Sequence, residues 1–172
     1  GQAEVMDYLL TVDSEYEIVA FTSTLDYIDT DKIYGKPQVP FEEIIDQYPP
    51  EAYEMHIAIG YNNYNKTRTK FYHQAKKKGY KLLSYVSSKC TNYSKKIGDN
   101  CFIFEDNTIQ PFVEIGNNCI LWSGNHIGHH SIIKDNVFIS SHVVISGHCK
   151  IGEYSFLGVN STIKDSISIA RN

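Results

Sequence analysis

Large aliphatic residues recur at every sixth position through the second half of the 172-residue chain. A six-residue period matches neither the 3.6-residue repeat of an amphipathic helix nor the two-residue alternation of a strand. It is the period of the hexapeptide repeat of a parallel β-helix, in which six residues supply one short strand and one corner. The sequence therefore predicts a three-sided β-helical prism over 91–172. The series keeps its register through Ile97, Ile103, Ile109, Ile115, Leu121, Ile127, Ile133, Ile139, Ile145, Ile151, Leu157, Ile163 and Ile169.

A longer repeat accompanies the six-residue one, because three hexads form one coil of such a prism. Residues 18 apart are therefore expected to stack on the same face, about 4.8 Å apart. We expect about four coils, with a fifth beginning at Ile169, and an open end at Asn172 that further chain would cover. Related corner segments recur at Ile97–Asn100, Ile115–Asn118, Ile133–Asn136 and Ile151–Tyr154.

Three of the four cysteines, Cys101, Cys119 and Cys149, occupy the fifth position of a hexad, where most residues are small. We interpret them as buried fillers of a tight corner. Cys101 and Cys119 are 18 residues apart and should stack, which leaves a disulfide sterically open. We expect free thiols, because disulfides are rare in the cytoplasm.

Five of the seven histidines lie between positions 126 and 148. The 18-residue rule stacks His130 on His148 and His129 on Gly147. A glycine beside a histidine lets a ligand approach the backbone closely. The sequence therefore predicts one functional site on the second and third coils.

The first 90 residues alternate between helical and strand patterns, which indicates a small parallel sheet. The chain opens on Gly1 directly before a helix, so we expect a first strand and part of a glycine-rich turn upstream. Ligands of such sheets bind at the carboxyl ends of the strands, here Gly1, Thr22–Ser23 and Gly60–Asn63. Strands are predicted at Tyr16–Phe21, Met55–Gly60 and Tyr80–Val86, and helices near the start, from Phe41 and from Asn62 to Lys78.

The composition excludes several classes of protein. Hydrophobic residues make up 42%, so the chain can bury a core. The net charge of −4 argues against a nucleic-acid partner. No apolar run is long enough to cross a membrane and no signal peptide is evident, so we expect a cytoplasmic protein.

The chain resembles the sugar acetyltransferases of the left-handed β-helix superfamily, in particular bacterial nucleotide-sugar N-acetyltransferases and sialic acid O-acetyltransferases. The resemblance covers essentially the whole chain. In the N-terminal part it includes Arg68. The segments that carry it are Gly1–Ala3, Ile57–Asn63, Ile127–Ile133, His148–Gly152 and Phe156–Ser161.

The resemblance implies a fold and a reaction. The fold is an α/β N-terminal Rossmann-like domain, residues 1–90, followed by an all-β left-handed parallel β-helix, residues 91–172. The assembly is a homotrimer that binds acetyl-CoA in grooves between prisms. The reaction moves an acetyl group from acetyl-CoA to an amine or hydroxyl of a nucleotide-linked sugar in bacterial surface-glycan biosynthesis, and no metal is implied.

The family's functional positions carry over residue by residue. Its catalytic histidine falls on His129, the expected general base. The next position, usually an acidic residue that raises the basicity of the catalytic histidine, is His130, and His148, stacked on His130, could substitute as the orienting partner. The coenzyme contacts fall on Phe138, Gly147 and Val159, although the family has a second histidine where this chain has Phe138. The substrate contacts fall on Gly1, Gln2, Thr22, Ser23 and Gly60.

Two other classes remain open on the sequence. One is a zinc-dependent lyase of the carbonic-anhydrase type, since imidazoles are good zinc ligands. The other is a non-catalytic binding or scaffold protein that has kept the fold, which the changes at His130 and Phe138 make conceivable. The candidate zinc ligands are His126, His129, His130, His142 and His148.

Overall fold

The computed structural model describes residues 1–171, so the predicted open end at Asn172 lies outside the described residues. The N-terminal part contains three α-helices, a 3₁₀ turn at Leu25–Tyr27 and a three-stranded sheet. Its elements are α1 (Gln2–Val12), β1 (Phe21–Ser23), β2 (Lys32–Ile33), β3 (Lys36–Pro40), α2 (Ile44–Gln47) and α3 (Lys66–Lys77).

The remainder of the chain is a parallel β-helix made of three five-stranded sheets. Each sheet takes one strand from every coil, so the prism has five coils. The first sheet holds β4 (Tyr85–Val86), β7 (Phe102–Ile103), β10 (Ile120–Leu121), β13 (Phe138–Ile139) and β16 (Phe156–Leu157). The second holds β5 (Thr91–Asn92), β8 (Thr108–Ile109), β11 (His126–Ile127), β14 (Val144–Ile145) and β17 (Thr162–Ile163). The third holds β6 (Lys96–Ile97), β9 (Glu114–Ile115), β12 (Ile132–Ile133), β15 (Lys150–Ile151) and β18 (Ser168–Ile169).

The prism starts one coil earlier than the sequence pattern predicts. Tyr85 pairs with Phe102, a step of 17 residues, whereas Lys96 pairs with Glu114, a step of 18. One residue fewer in the segment between β5 and β6 breaks the six-residue register. The pattern therefore begins at Ile97, and the structure gives five coils where about four were expected. Tyr80–Val86, predicted as a strand of the N-terminal sheet, supplies the first strand of the prism.

The core of the prism consists of the aliphatic residue at every sixth position. Ile109, Ile127 and Ile145 are completely buried in its interior. Full burial of each such side chain contributes roughly 1.5–3 kcal/mol. Cys101, Cys119 and Cys149 fill the corners of the same core, and all the cysteines of residues 1–171 are free thiols, as expected.

The corners of the prism adopt the left-handed backbone conformation once per hexad. Asn and Gly tolerate this conformation better than other residues do. One corner stacks Asn100, Asn118 and Asn136 with φ of 53°, 58° and 62°. Asn100 Nδ2 donates to Asn118 Oδ1 at 2.7 Å, and Asn118 Nδ2 donates to Asn136 Oδ1 at 2.8 Å. We call this buried stack the asparagine ladder.

The N-terminal part covers both ends of the asparagine ladder. The backbone N–H of Ile57 donates to Asn100 Oδ1 at 2.8 Å, and Thr69 Oγ1 on α3 donates to Asn136 Oδ1 at 3.0 Å. Arg68, also on α3, is fully buried, and its guanidinium donates to the backbone carbonyl of Asn100 at 2.8 Å. These contacts fix the N-terminal part against one corner of the prism.

The N-terminal strands are shorter than the sequence predicts. The predicted strand Tyr16–Phe21 overlaps the observed strand β1 (Phe21–Ser23) at Phe21 alone, and β1 pairs in parallel with β3. The predicted strand Met55–Gly60 makes one parallel bridge, Met55 to Leu82. A segment counts as a strand only where its backbone pairs with a neighbouring strand. Within residues 1–171 these apolar segments have few such neighbours. The helices agree better. α1 lies where the apolar spacing predicts it, whereas α3 begins at Lys66, with Asn65 as its N-cap, instead of at the predicted Asn62.

The N-terminal part packs on the outer face of the first prism sheet. Met6 and Leu10 of α1 bury their side chains against an apolar cluster that includes Phe102 and Phe138. At the end of α1 the Asp13 carboxylate accepts hydrogen bonds from the Tyr85 hydroxyl and from two serines, which holds the pKa of Asp13 well below its usual range. No helix within residues 1–171 is long and apolar enough to cross a membrane.

Candidate active site

Three histidines meet at an exposed corner of the prism. His129 and His130 follow β11, and His148 occupies the position of His130 on the next coil. His130 and His148 have φ of 59° and 56°, so the left-handed corner turns both rings outward. The backbone N–H of His129 donates to Gln110 Oε1 at 2.9 Å, and that of His148 donates to the His129 carbonyl at 2.9 Å. We call this set the histidine cluster.

The rings of the histidine cluster are in mutual contact. His129 Nδ1 lies 3.1 Å from His130 Nδ1, which is a hydrogen bond in which one ring donates and the other accepts. The His130 and His148 rings are stacked, with centroids 4.9 Å apart and planes 13° apart. The His129 ring meets His148 edge-on at 5.1 Å. The stacking of His130 on His148 predicted by the 18-residue rule is confirmed.

Gly147 leaves a gap that His129 fills. A methyl group at Gly147 would lie 2.8 Å from His129 Cε1 and 3.0 Å from His129 Nε2, so any larger residue would displace the ring. The same methyl group would lie 3.1 Å from Asp165 Oδ1. His129 and Asp165 therefore face the same gap from its two sides. Asp165 was missed in the sequence, although applying the 18-residue step twice from His129 leads to it.

The other two candidate zinc ligands lie apart from the histidine cluster. His126 is on β11, where it pairs with Thr108 and Val144. His142 has the same left-handed conformation as His130, with φ of 57°, but lies at another corner, where its ring packs over Gly124. One ring nitrogen from each of His129, His130 and His148 lies within 4.8 Å of the others, and no such group includes His126 or His142 within residues 1–171.

The predicted coenzyme contacts do not come together in one chain. Gly147 lies beside His129, as described above. Phe138 is on the first prism sheet, only 8% exposed, and its ring packs against Tyr61 and Phe156. Val159 is 64% exposed and precedes a different corner. The coenzyme roles of Phe138 and Val159 stay predictions, and burial under Tyr61 leaves little of Phe138 for a ligand to touch.

The predicted substrate contacts divide into two groups. The Gln2 side chain lies directly over Gly60, where any side chain would collide with Gln2 Oε1, and Gly1 begins α1 beside it. Thr22 and Ser23 lie at the end of β1, where Ser23 Oγ accepts a hydrogen bond from Gln38 Nε2 at 2.8 Å. Gln2 Nε2 and Thr22 Oγ1 are buried without a hydrogen-bond partner among residues 1–171.

Thr22 and Ser23 line a cavity of about 580 Å³ in the N-terminal part. Its walls are mostly apolar and come from the segments 16–24 and 52–59 and from α1. The His56 ring also lines it, with Nδ1 3.0 Å from the Leu83 carbonyl. Burial, together with the nearby charge of Arg68, lowers the pKa of His56 to about 3, so this ring is neutral at physiological pH.

Comparison with known proteins agrees with the fold. Residues 94–129 and 130–165 each match the bacterial transferase hexapeptide repeat. A search of curated proteins gave no significant match.

Solved structures match more of the chain. The acetyltransferase domain of PglB from Neisseria gonorrhoeae FA1090, in complex with acetyl coenzyme A, is 18% identical with a TM-score of 0.86, over 99% of this chain and 81% of that one. A variant of perosamine N-acetyltransferase from Caulobacter crescentus, in complex with CoA and GDP-perosamine, is 19% identical with a TM-score of 0.74, over 83% and 67%. WeeI from Acinetobacter baumannii AYE is 18% identical with a TM-score of 0.64, over 98% and 84%.

Proposed function

We propose that this chain, whose residues 94–165 are bacterial transferase hexapeptide repeats, is an acetyltransferase that uses acetyl-CoA to acetylate a nucleotide-linked sugar. The observation that carries the proposal is the position of His129, an exposed imidazole seated over Gly147 at a corner of the prism. The likeness in fold to an acetyltransferase domain with acetyl coenzyme A bound supports the choice of acyl donor.

His129 acts as the general base in this proposal. An amine or hydroxyl of the sugar attacks the thioester carbonyl carbon, and His129 accepts the proton that the nucleophile loses. Histidine suits this task because its ordinary pKa lies near neutrality. When the carbon–sulfur bond breaks, the proton passes from His129 to the coenzyme A sulfur. The backbone N–H of Gly147 borders the same gap and would donate to the oxyanion.

His130 and Asp165 share the task of supporting the His129 imidazolium. His130 Nδ1, 3.1 Å from His129 Nδ1, fixes the orientation of the ring. Asp165 faces His129 Nε2 across Gly147 and supplies the carboxylate that the residue after His129 does not. A facing negative charge would stabilise the positive charge that forms on the ring during proton transfer. His148 keeps His130 in place by stacking on it.

The N-terminal part, predicted as residues 1–90 but ending before β4 at Tyr85, is proposed to be a Rossmann-like domain that holds the nucleotide part of the sugar. Two of the buried polar atoms without partners among residues 1–171, Gln2 Nε2 and Thr22 Oγ1, lie at the predicted substrate positions and support a polar ligand there. The remainder of the proposal is a left-handed β-helix domain that starts at β4 instead of the predicted residue 91, a homotrimer with acetyl-CoA bound between prisms, and a cytoplasmic location, where acetyl-CoA is available.

The test is acetyl transfer to a panel of acceptors. The purified chain is incubated with acetyl-CoA and UDP-, dTDP- and GDP-linked amino sugars or CMP-sialic acid, and the products are examined by mass spectrometry. We expect a mass increase of one acetyl group on one acceptor, with release of free coenzyme A. Fragmentation then distinguishes N- from O-acetylation. No transfer to any acceptor, together with no thermal stabilisation by acetyl-CoA, would leave the binding or scaffold class as the better description.

A further inference from the structure

The histidine cluster has the donor set of a transition-metal site. Its three imidazoles each present a ring nitrogen within 4.8 Å of the other two. Among residues 1–171, none of the three rings forms an ion pair with a carboxylate. All three side chains are exposed, so a cation can reach the nitrogens from solvent.

The distances are close to those that a bound cation requires. Zinc–nitrogen bonds of 2.0–2.1 Å at a tetrahedral angle place two ligand nitrogens about 3.4 Å apart. His129 Nδ1 and His130 Nδ1 are 3.1 Å apart without any metal. His148 stacks on His130 and needs a rotation of its ring to aim a nitrogen at the same point. An exposed side chain makes such a rotation at little cost.

The chemistry of the ligands selects the kind of cation. Neutral imidazoles bind Zn²⁺, Cu²⁺ and Ni²⁺ well, whereas Mg²⁺ and Ca²⁺ prefer oxygen ligands. The nearest cysteine in sequence, Cys149, points into the prism core, where its thiol contacts the Lys164 carbonyl, so no thiolate joins the set. Three ligands leave a position open for water.

We propose that His129, His130 and His148 bind one Zn²⁺, Cu²⁺ or Ni²⁺ ion per chain, and that the bound ion inhibits acetyl transfer. Inhibition follows because the metal occupies the lone pair of a ring that must be free to accept a proton. This second half rests on the proposed role of His129 as the base. The first half, metal binding, stands on the geometry alone.

The binding test uses the full chain and the metals themselves. Isothermal titration with Zn²⁺ and electron paramagnetic resonance with Cu²⁺ should show one site per chain with nitrogen ligands. His130→Asn and His148→Asn should each weaken binding roughly tenfold or more through loss of a ligand, and asparagine tolerates the left-handed corner. His142→Asn is the matched control, since His142 has the same backbone conformation and exposure at another corner. Equal affinity in all four proteins would overturn the site.

The inhibition test is independent of the binding test. We expect Zn²⁺ to reduce acetyl transfer at the concentrations at which it binds, and EDTA to restore it. Activity that EDTA abolishes would make the ion a cofactor, as in the zinc-lyase class, and would overturn inhibition. Activity that is unchanged at saturating Zn²⁺ would overturn it as well. Absence of acetyl transfer without any metal would count against the proposed function and leave the measured metal affinity standing.

Discussion

Two corners of the prism share a backbone conformation and differ in almost everything else. The asparagine ladder and the histidine cluster both use the left-handed position of successive coils. Asn100 and Asn118 are completely buried beneath the N-terminal part, and their amides bond to one another. His130 and His148 are exposed, and their rings stack on each other without a covering element among residues 1–171.

The difference shows how one structural position serves stability in one place and chemistry in another. At the covered corner a polar group must find a partner in the protein, because a buried unpaired group costs about 1–3 kcal/mol. Asparagine meets that demand with a donor and an acceptor on one short side chain. At the open corner water satisfies the polar atoms, so residues there are free to bind, exchange protons and move.

The largest effect should follow from replacing His129, the proposed general base. His129→Ala removes proton transfer and should lower the turnover number for acetyl transfer by about 10²- to 10⁴-fold. The His129 side chain is exposed, so the melting temperature should hardly change. Steady-state kinetics and a thermal melt measure the two quantities. His126→Ala, on β11 but outside the histidine cluster, is the control. Near-normal turnover in His129→Ala would exclude His129 as the general base.

A smaller effect is expected at the covered corner. Asn118→Ala removes both ladder hydrogen bonds and places alanine in the left-handed region, so the free energy of unfolding should fall by about 2–4 kcal/mol. The same substitution at the open corner, His130→Ala, should cost only about 1–2 kcal/mol, since no buried partner is left unsatisfied. Asn118→Gly separates backbone strain from the lost bonds. Chemical denaturation provides the values, and equal losses at both corners would contradict the comparison.

His56, which lines the cavity of the N-terminal part, should make the free energy of unfolding depend on pH. His56 is neutral in the folded protein because its pKa is about 3, while the unfolded chain binds a proton near pH 6.5. The contribution of His56 to the free energy of unfolding is therefore fully present above about pH 6.5. It is lost as the pH falls towards 3, by at most about 1.4 kcal/mol per pH unit. The free energy of unfolding is measured against pH by chemical denaturation, and the difference in slope between the wild type and His56→Gln gives the contribution of His56. His73→Gln, an exposed position on α3, controls for the loss of an imidazole.

The smallest effect concerns Asp165. Asp165→Asn removes the charge that faces His129 across Gly147 and keeps the shape of the side chain. Turnover should fall by about three- to tenfold, because the imidazolium that forms during proton transfer loses a facing negative charge. His130 and His148 face the same ring and remain in place. Asp106→Asn, at another exposed corner, is the control, and unchanged turnover in Asp165→Asn would show that Asp165 does not act through His129.

The repeat made most of the prism predictable. From Ile103 to Leu157 the residues at six-residue steps are buried where the pattern places them, while Ile97, Ile163 and Ile169 at the two ends are partly buried. The 18-residue step correctly stacks His130 on His148. The first coil was not predicted because the segment before β6 is one residue shorter than in later coils. Tyr85 and Thr91 therefore do not fall on the six-residue register. The predicted N-terminal strands were too long, because an apolar run indicates that a segment is buried and does not indicate which strands it pairs with.

The sequence alone determined the features that follow from the repeat. These are its period, the aliphatic core, the small corner residues and the stacking of histidines on neighbouring coils. These follow from local rules that act at every coil in the same way. Only the tertiary structure decided which corner is covered and which is open, because that depends on where α3 and Arg68 dock. It also decided that Gly147 lets His129 and Asp165 face one gap and that Phe138 is buried beneath Tyr61. Such contacts depend on the identity of individual side chains, which the repeat does not specify, and they distinguish one corner of a repetitive prism from the others.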